Sequence, residues 1–476
     1  MSDTSRTIDA LDAFGRSPGG RSQARPDFVG LVIAFGSVLA VYTIYLLTGN
    51  VVTACVLAAL PLTVALVWHW PIGLALAFLS VACFRLHEAF PALMALQLPL
   101  VFALLLITSA SIHLFGRNVV AYMRPELAFV LLFGFHASTG ILFAADRELA
   151  YQAWSTQFTK VLLMCMLMAW LMRVPDDCNL VASVITICGA LVSSVAIYNW
   201  LNGIDLVGGR VSIGQLVKSS LADPNDLAFT LMFAVAFSLS IFFARSTGPV
   251  QRGVVAIVLL SLFWAIIATK SRGGLLGTLA VLWIYFTKRY KSIVLPLIIS
   301  AVVGVALFVL ADISSRSDAD LEDSSQGRLT FWKAAFFMAL SRPLFGVGMD
   351  NFQGMLWSYA SVWDGREHVA HSIWFSVMGE TGFVGFGLYV GMIVYAFRAV
   401  FGAFGYLESI EAEARTRNFA LALTAGFTGT CVAGTFLSQA YSWPVFIQIA
   451  FIAALARHVD SLKSASTGKP GAEGGD

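Results

Sequence analysis

The sequence has little charge. Asp, Glu, Lys and Arg together make up 12% of its 476 residues, whereas soluble domains contain about 25%. Hydrophobic residues reach 58%, and the mean hydropathy is +0.79. This composition excludes an ordinary soluble protein. Because the apolar runs are long and continuous rather than short and alternating, the predicted fold class is all-α, a polytopic helical membrane protein.

Signatures of several function classes are also missing. The sequence contains no Walker sequence and no GxSxG elbow, so nucleotide-driven chemistry is unsupported. Its net charge of +2 includes no basic face suited to nucleic acid, and no cofactor is expected. The six cysteines lie in or beside apolar runs without CxxC spacing, which favours packed hydrophobic residues over disulfides or metal ligands. They are Cys55, Cys83, Cys165, Cys178, Cys188 and Cys431.

Apolar runs are what the sequence has in abundance. They cover 28–47, 51–68, 71–86, 97–114, 125–143, 158–172, 180–200, 224–243, 254–268, 273–286, 293–310, 372–397, 418–437 and 441–456. Several are shorter than the ~20 residues of a perpendicular span. Two adjacent pairs, 51–68 with 71–86 and 254–268 with 273–286, therefore suit tilted, re-entrant or broken helices. The runs predict about 12–14 transmembrane helices.

The polar segments divide the chain into five parts. Residues 1–27 are polar and are expected to form a disordered cytoplasmic tail. No cleavable signal peptide is predicted there, because no apolar region falls early enough. Transmembrane helices then occupy 28–310, and 311–371 forms one long loop. Further transmembrane helices occupy 372–460, and 461–476 is expected to be a second disordered cytoplasmic tail.

The distribution of basic residues predicts the orientation. The loops after the fourth, eighth and tenth runs have the same parity and contain basic but no acidic residues, so the positive-inside rule places them and both termini in the cytoplasm. The loop near Arg210, the turn at Arg272 and the long 312–371 segment then face the opposite, outward side. The basic residues used are Arg117, Arg124, Arg245, Arg252, Lys288, Arg289 and Lys291.

Within the long loop, residues 328–341 predict an amphipathic helix. Its apolar residues at helical spacing are Leu329, Trp332, Ala335, Phe336 and Ala339, and Pro343 with Gly346 and Gly348 ends it. A helix of this kind next to a bilayer is expected to lie in the membrane interface.

Two arginines and a histidine are the leading candidates for chemistry. Arg210 and Arg272 lie close to apolar runs, where a guanidinium is costly unless it is paired or reaches water, and their planar forks match phosphate oxygens. The alternative is that either one reaches the headgroup region as an anchor. His371 precedes a long apolar helix with Ser372 at its N-cap, where a neutral imidazole suited to a general base is favoured. Alternatively, it is a polar residue at the helix start.

Two further features admit other interpretations. The spacing His368-x-x-His371 is compatible with a metal site, but no third ligand is apparent, so no metal is predicted. Glu380 lies inside an apolar run among glycines, which suggests close helix packing and a structural hydrogen-bonding role.

Several short motifs, taken together, resemble one family. They are Gly327-Arg328 followed by Trp332 and Ala335, Arg342-Pro-Leu-Phe-Gly-Val-Gly with Asn351-Phe352, Ala370-His-Ser-Ile-Trp-Phe, and Gly379-Glu-Thr-Gly-Phe-Val-Gly. In this order they resemble the O-antigen ligase and polymerase superfamily of bacterial membrane glycosyltransferases, most strongly over 205–390. The resemblance implies a GT-C-like, metal-independent enzyme that uses an undecaprenyl-diphosphate-linked glycan as donor.

The same resemblance implies roles for individual residues. Arg210 and Arg272 would bind the donor diphosphate, His371 would be the catalytic histidine, and Arg328 and His368 are candidate contacts to substrate from the loop. Many ligases have His-Asn at the position where this chain has His371-Ser372. The His-Ser sequence is more similar to branches of the superfamily linked to exopolysaccharide or to protein O-glycosylation, so the difference concerns the acceptor.

The resulting prediction is an O-antigen ligase-like enzyme of the bacterial inner membrane, active on the periplasmic face. Its expected partners are the lipid-linked glycan, a lipid A-core or growing glycan acceptor, and membrane lipids. A repeat-unit polymerase and a protein O-oligosaccharyltransferase are alternatives with the same donor. A transporter or flippase for amphipathic anions is an alternative of a different class, which would bind its substrate near mid-membrane.

Overall fold

The computed structural model of the chain describes residues 43, 61–116, 119–214, 220–310, 325–363 and 365–466. The chain divides into two compact units, residues 1–69 and 70–476. In the first unit, helix α1 spans Pro61–His69. The predicted tail 1–27 and the run 28–47, apart from Thr43, lie outside the described residues.

The second unit is built almost entirely from helices. They are α2 Pro71–Ala82, α3 Leu98–Phe115, α4 Pro125–Gly140, α5 Arg147–Ala153, α6 Thr159–Leu171, α7 Cys178–Asn202, α8 Pro224–Phe242, α9 Pro249–Ala268, α10 Arg272–Tyr290, α11 Val294–Leu310, α12 Ser325–Ser341, α13 Phe352–Tyr359, α14 Ile373–Ser409, α15 Ala414–Gly434 and α16 Trp443–Ser466. Shorter helical turns are Leu86–Ala89, Pro91–Leu96, Ile141–Phe143, Trp154–Phe158 and Ser220–Ala222. The two strands, β1 Leu206–Val207 and β2 Arg210–Val211, form an antiparallel hairpin.

The apolar runs and the helices coincide. Each run predicted from residue 71 onward lies on one of these helices. Among the described residues, seven helices are long and apolar enough to cross a membrane: Leu93–Phe115, Pro125–Phe143, Cys178–Asn202, Pro224–Phe242, Pro249–Ala268, Ile373–Ser409 and Trp443–Ser466. The predicted fold class, an all-α polytopic membrane protein, is confirmed.

Helix α8 forms the centre of the second unit. Its side chains are buried on every face, as expected for a helix that is apolar all round. It packs against α7, α9, α10 and α15. Helices α10 and α15 approach each other closely through Gly277 and Gly429, since a Cβ on Gly277 would lie 2.9 Å from the Gly429 carbonyl oxygen. Small residues allow this approach in membrane bundles.

Contacts between loops show that the unit has two distinct ends. At one end, Arg289 donates to the Phe243 carbonyl (2.8 Å) and Lys291 pairs with Glu408 (3.1 Å). Arg124 pairs with Glu126 and with Asp460 of α16. Lys463, three residues after Asp460, lies over the ring of Tyr406 of α14, two residues before Glu408. The Arg124 pairs therefore lie at the same end. Arg210, Arg272 and His371 all lie at the other end. The grouping predicted from the basic loops is thus present, although Arg117 lies outside the described residues. The side of the membrane that each end faces stays a prediction.

Two predicted boundaries differ from the observed ones. Helix α12 begins at Ser325 rather than at 328. Helix α16 continues to Ser466 instead of ending before 461, because Val459 is still buried and Lys463 packs on Tyr406. The remaining tail, 467–476, and the loop residues 311–324 lie outside the described residues.

The buried face of α12 also differs from the predicted one. Phe331, Ala334, Ala335 and Met338 pack into a cluster with Val347, Phe352, Leu356 and Ala370. Leu329 and Phe336, predicted on the apolar face with Ala335, are 52% and 44% exposed, and Phe337 and Leu340 are also exposed. The helix therefore presents apolar side chains both to its own loop and outward, since its neighbours are protein on one side only.

Candidate active site

Arg210 is held by the β1–β2 hairpin. The two turn residues, Gly208 and Gly209, have φ of 56° and 71°, as a two-residue turn of the favoured hairpin type requires. The Arg210 Nε donates to the Thr269 carbonyl (2.9 Å), and Nη2 donates to Asn225 Oδ1 (2.6 Å). The guanidinium therefore joins the end of α9 to the beginning of α8.

Arg272 is the first residue of α10 and lies near the same place. Ser271 caps this helix, because its Oγ accepts a hydrogen bond from the Gly274 amide (3.2 Å). A Cβ on Gly274 would lie 2.4 Å from Cβ of Ala228 on α8. The beginnings of α8 and α10 are thus in close contact, and both arginines belong to the segments that meet there. Two helix N-termini and two guanidiniums together favour an anion.

His371 lies just before α14 and is attached to the loop that follows α15. Its backbone has φ of 47°, and its N–H donates to Ser438 Oγ (2.8 Å). Ser372 occupies the N-cap position as predicted, but its side chain makes no capping hydrogen bond. The His371 side chain is 8% exposed.

The segment around Ser438 connects this histidine with the arginines. A Cβ on Gly273, the residue after Arg272, would lie 3.1 Å from Cβ of Phe436 and 3.4 Å from Leu437. Ser438, which holds the His371 amide, is the next residue. The structure therefore brings the three leading candidates to one end of the bundle, at the ends of helices rather than in their middle.

Arg328 and His368 lie on the α12 side of this region. His368 is buried, and its ring stacks on Phe331 with 5.0 Å between ring centroids. Arg328 is in the first turn of the same helix. His368 packs on Phe331 of α12, whereas the His371 amide binds Ser438 in the loop after α15. The two histidines therefore contact different elements. Among the residues that the structure describes, no three His, Cys, Asp or Glu side chains are grouped as a metal site.

The loop that follows α12 docks onto a break in α14. Gly382 has φ of 71° and ψ of −174°, which interrupts the helix. The carbonyl groups of Gly379 and Glu380 accept instead from the amides of Val347 (3.0 Å) and Gly348 (2.9 Å). Two motifs recognised in the sequence, 342–348 and 379–385, are therefore partners of each other.

Tight packing explains the glycines of these two motifs. A Cβ on Gly346 would lie 2.4 Å from the Gly379 carbonyl oxygen, and one on Gly382 would lie 2.6 Å from the Pro343 carbonyl oxygen. His136 of α4 binds the Thr381 carbonyl at 3.0 Å through Nε2. The Glu380 side chain lies beside this junction, 3.4 Å from the Phe352 amide. The contacts agree with the structural role expected for Glu380.

A cavity of about 380 Å³ lies beside these candidates, within the range of small-molecule sites. Its wall includes Ser438, the acceptor of the His371 amide, and Asp226, the neighbour of Asn225 in sequence. The side chain of His371 is not part of the wall. Other polar lining residues are Arg85, Gln152, Thr156, Gln157, Thr230, Asp350, Gln439, Tyr441 and Ser442.

The sequence prediction missed these lining residues. Asp226 had a usable signal, because a carboxylate within an apolar run is a functional candidate. Arg85 had the same signal at the end of the run 71–86. Gln439 and Tyr441 had none, since a polar residue near the end of a run is common and only the fold brings them to Asp226.

The hydroxyl of Tyr441, in the cavity wall, stays protonated over a wide pH range. Burial raises the pKa of its hydroxyl well above the usual value, and the nearby carboxylates of Glu380 and Asp350 raise that pKa further. The hydroxyl therefore keeps its proton at neutral and moderately alkaline pH.

A comparison with known families is informative for one segment of the chain. Residues 255–390 match the sequence model of a family described as O-antigen ligase. The resemblance carried by the sequence motifs is therefore confirmed over this segment. The segment includes Arg272, α12, the docked loop and His371, whereas Arg210 precedes it. No curated protein matches the chain. The match indicates an enzyme of the glycosyltransferase type, and the apolar helices indicate a multi-pass membrane protein.

Proposed function

We propose that the protein transfers a glycan from an undecaprenyl-diphosphate donor to a hydroxyl acceptor on the periplasmic side of the bacterial inner membrane, as an O-antigen ligase does with lipid A-core. The observation that carries the proposal is the convergence of Arg210, Arg272 and His371 at one end of the bundle, linked through Asn225 and Ser438. The family match supports the same class of reaction.

The proposed roles follow from the charges that develop during transfer. The acceptor oxygen attacks the anomeric carbon, and the bond from that carbon to the diphosphate breaks. The diphosphate leaves with the bonding electron pair, so negative charge grows on its oxygens. Arg210 and Arg272 bind these oxygens and stabilise that charge. The imidazole of His371 positions the acceptor hydroxyl and takes its proton.

A bilayer surface suits this donor. Its polyprenyl tail needs lipid or apolar helix faces, while its diphosphate needs cations near water. Arg272 begins a helix, and Arg210 contacts the end of α9 and the beginning of α8, which is compatible with such a substrate. A transporter would hold its anion near the middle of the helices, so the positions favour the enzyme. We propose Arg328 and His368 as contacts to the substrate from the α12 side, and we propose no metal.

One experiment tests both the reaction and the acceptor. Purified protein is incubated with an undecaprenyl-diphosphate-linked repeat unit, with and without lipid A-core, and His371→Ala is compared with wild type. We expect a product that requires lipid A-core and is lost in the variant. A ladder built from the donor alone would indicate a polymerase, and transfer only to an added periplasmic protein would indicate a protein glycosyltransferase. An active His371→Ala variant would contradict the role of the histidine.

A further inference from the structure

The 380 Å³ cavity is connected to both halves of the candidate site. Asp226 on its wall directly follows Asn225, which accepts the hydrogen bond from Arg210. Ser438 on the same wall accepts from the His371 amide. A group in this cavity would therefore lie beside the residues that hold Arg210 and His371 in place.

The side chains of the cavity disfavour a second phosphate. Asp226 and Asp350 contribute two carboxyl groups, and the arginine of the wall, Arg85, is paired with Glu88 at 2.7 Å. An anion would therefore meet two carboxyl groups and a cation that is already paired. A neutral or amino-bearing polyol would instead find hydrogen-bond acceptors for its hydroxyl groups.

The remaining lining residues suit a sugar ring. The Gln439 amide faces the Asp226 carboxylate, and the Tyr441 hydroxyl, which is hydrogen-bonded to Glu380, can still accept a hydrogen bond. Trp443 adds an apolar ring surface, held by an edge contact with Phe78 at 5.2 Å between centroids. An apolar surface with a few convergent polar groups is the usual composition of a small-molecule pocket.

We infer that this cavity binds the sugar that is bonded to the diphosphate of the donor, with the Asp226 carboxylate accepting hydrogen bonds from its hydroxyl groups and Gln439 positioning that carboxylate. The inference rests on the proposed function. The first sugar of the donor is covalently joined to the diphosphate, so it must lie next to the arginines. Asp226 is the cavity carboxylate closest in sequence to Asn225, the partner of Arg210. An acceptor sugar would have no such requirement.

The test compares binding of a lipid with and without its sugar. Undecaprenyl diphosphate and the same lipid bearing glucose, galactose or N-acetylglucosamine are titrated against the full-length protein in detergent. Wild type should bind at least one sugar-bearing lipid more tightly than undecaprenyl diphosphate. Asp226→Asn should weaken that binding by roughly 10- to 100-fold, the effect of losing a hydrogen bond to a charged group, and leave the sugar-free lipid unaffected.

Two more variants separate a binding role from a structural one. Asp223→Asn removes a carboxylate from the same helix start, outside the cavity, and keeps the cap of α8, since Asp and Asn cap equally well. It should bind all lipids as wild type does. Gln439→Leu should reduce binding of the sugar-bearing lipid by roughly 2- to 10-fold, as expected for a neutral hydrogen bond.

Several outcomes would overturn the inference. The first is that wild type gains no affinity from any of the three sugars. The second is that Asp226→Asn weakens binding of the sugar-free lipid as much as binding of the sugar-bearing lipid. The third is that Asp223→Asn weakens binding of the sugar-bearing lipid as much as Asp226→Asn does. Failure of undecaprenyl diphosphate itself to bind wild type would instead contradict the proposed function.

Discussion

The contact between α8 and α10 allows a sharp test of how the arginine site is held. In Gly274→Ala, the new Cβ would lie 2.4 Å from Cβ of Ala228, whereas carbon atoms in ordinary contact are about 3.5–4.0 Å apart. The two helices would have to separate locally by about 1–1.5 Å. Overpacking of this kind costs about 1–3 kcal/mol.

A matched variant isolates this cost from helix propensity. Gly253 of α9 has nothing within 4 Å of an added Cβ, so Gly253→Ala should gain up to about 1 kcal/mol from propensity alone. Because both variants gain helix propensity, they should differ in stability by the overpacking cost alone, about 1–3 kcal/mol. Thermal unfolding of both proteins in the same detergent measures the difference.

Gly274→Ala should also impair glycan transfer. Arg272 is two residues before Gly274, whereas Arg210 is fixed to Asn225 on α8. Separation of α8 from α10 would move one guanidinium relative to the other, and a misplacement near 1 Å can cost on the order of 10²-fold in rate. Gly274→Ala should lose glycan transfer, Gly253→Ala should not, and Gly274→Ala with Ala228→Gly should recover both stability and activity. If Gly274→Ala behaves like Gly253→Ala, the two helices are not in contact as the structure has them.

Three other changes test separate parts of the site. Arg272→Lys keeps the charge but loses the bidentate fork, so kcat for glycan transfer should fall on the order of 10²-fold; wild-type rates would remove Arg272 from the diphosphate site. EDTA should leave glycan transfer unchanged, because no metal takes part in the proposed reaction, and inhibition that added zinc reverses would implicate His368 and His371. Burial raises the pKa of Asp350 above its usual value of about 3.8, so its ionised form weakens the fold at higher pH. Asp350→Asn, whose side chain tolerates the φ of 59°, should therefore raise the melting temperature at about pH 7.5, and this gain should vanish near pH 4; an equal gain at both pH values would contradict the reasoning.

The helices could be predicted because the membrane leaves the backbone few alternatives. A long apolar run must satisfy its amide and carbonyl groups internally, which selects a helix. For this reason each run from residue 71 onward coincides with a helix, and the basic loops identify one end of the bundle. Helix boundaries were less predictable, since the last turns of α16 are stabilised by packing of Lys463 on Tyr406 rather than by local sequence.

The candidate site was predictable only in part. Arg210, Arg272 and His371 could be proposed from charge near apolar runs and from short motifs. Their proximity in the fold could not be predicted. It depends on hydrogen bonds to Asn225, to the Thr269 carbonyl and to Ser438, and these residues have no distinctive sequence pattern.

The cavity could not be predicted because distant parts of the chain form its wall. Arg85, Asp226, Asp350 and Tyr441 come from four separate segments, and only helix packing brings them together. The break in α14 shows the same limit, because the sequence 379–385 suggested close packing but not the loop 342–348 as its partner.

The division of charge at this end of the bundle bears on how a donor would be oriented. The cationic groups are Arg210 of the β1–β2 hairpin and Arg272 at the start of α10, whereas the cavity has the carboxyl groups of Asp226 and Asp350 and one arginine already paired with Glu88. A lipid-linked glycan has the complementary order, since an anionic diphosphate lies between an apolar tail and a polyhydroxyl sugar. With its diphosphate at the arginines, the sugar has a favourable environment only on the Asp226 side, and the reversed placement would bring phosphate against carboxylate. Ser438, which borders that same cavity, holds His371 where the sugar and the diphosphate would join. The anomeric carbon would thus lie where the cationic and acidic regions meet, so the sign of charge alone would favour one reactive orientation of the donor.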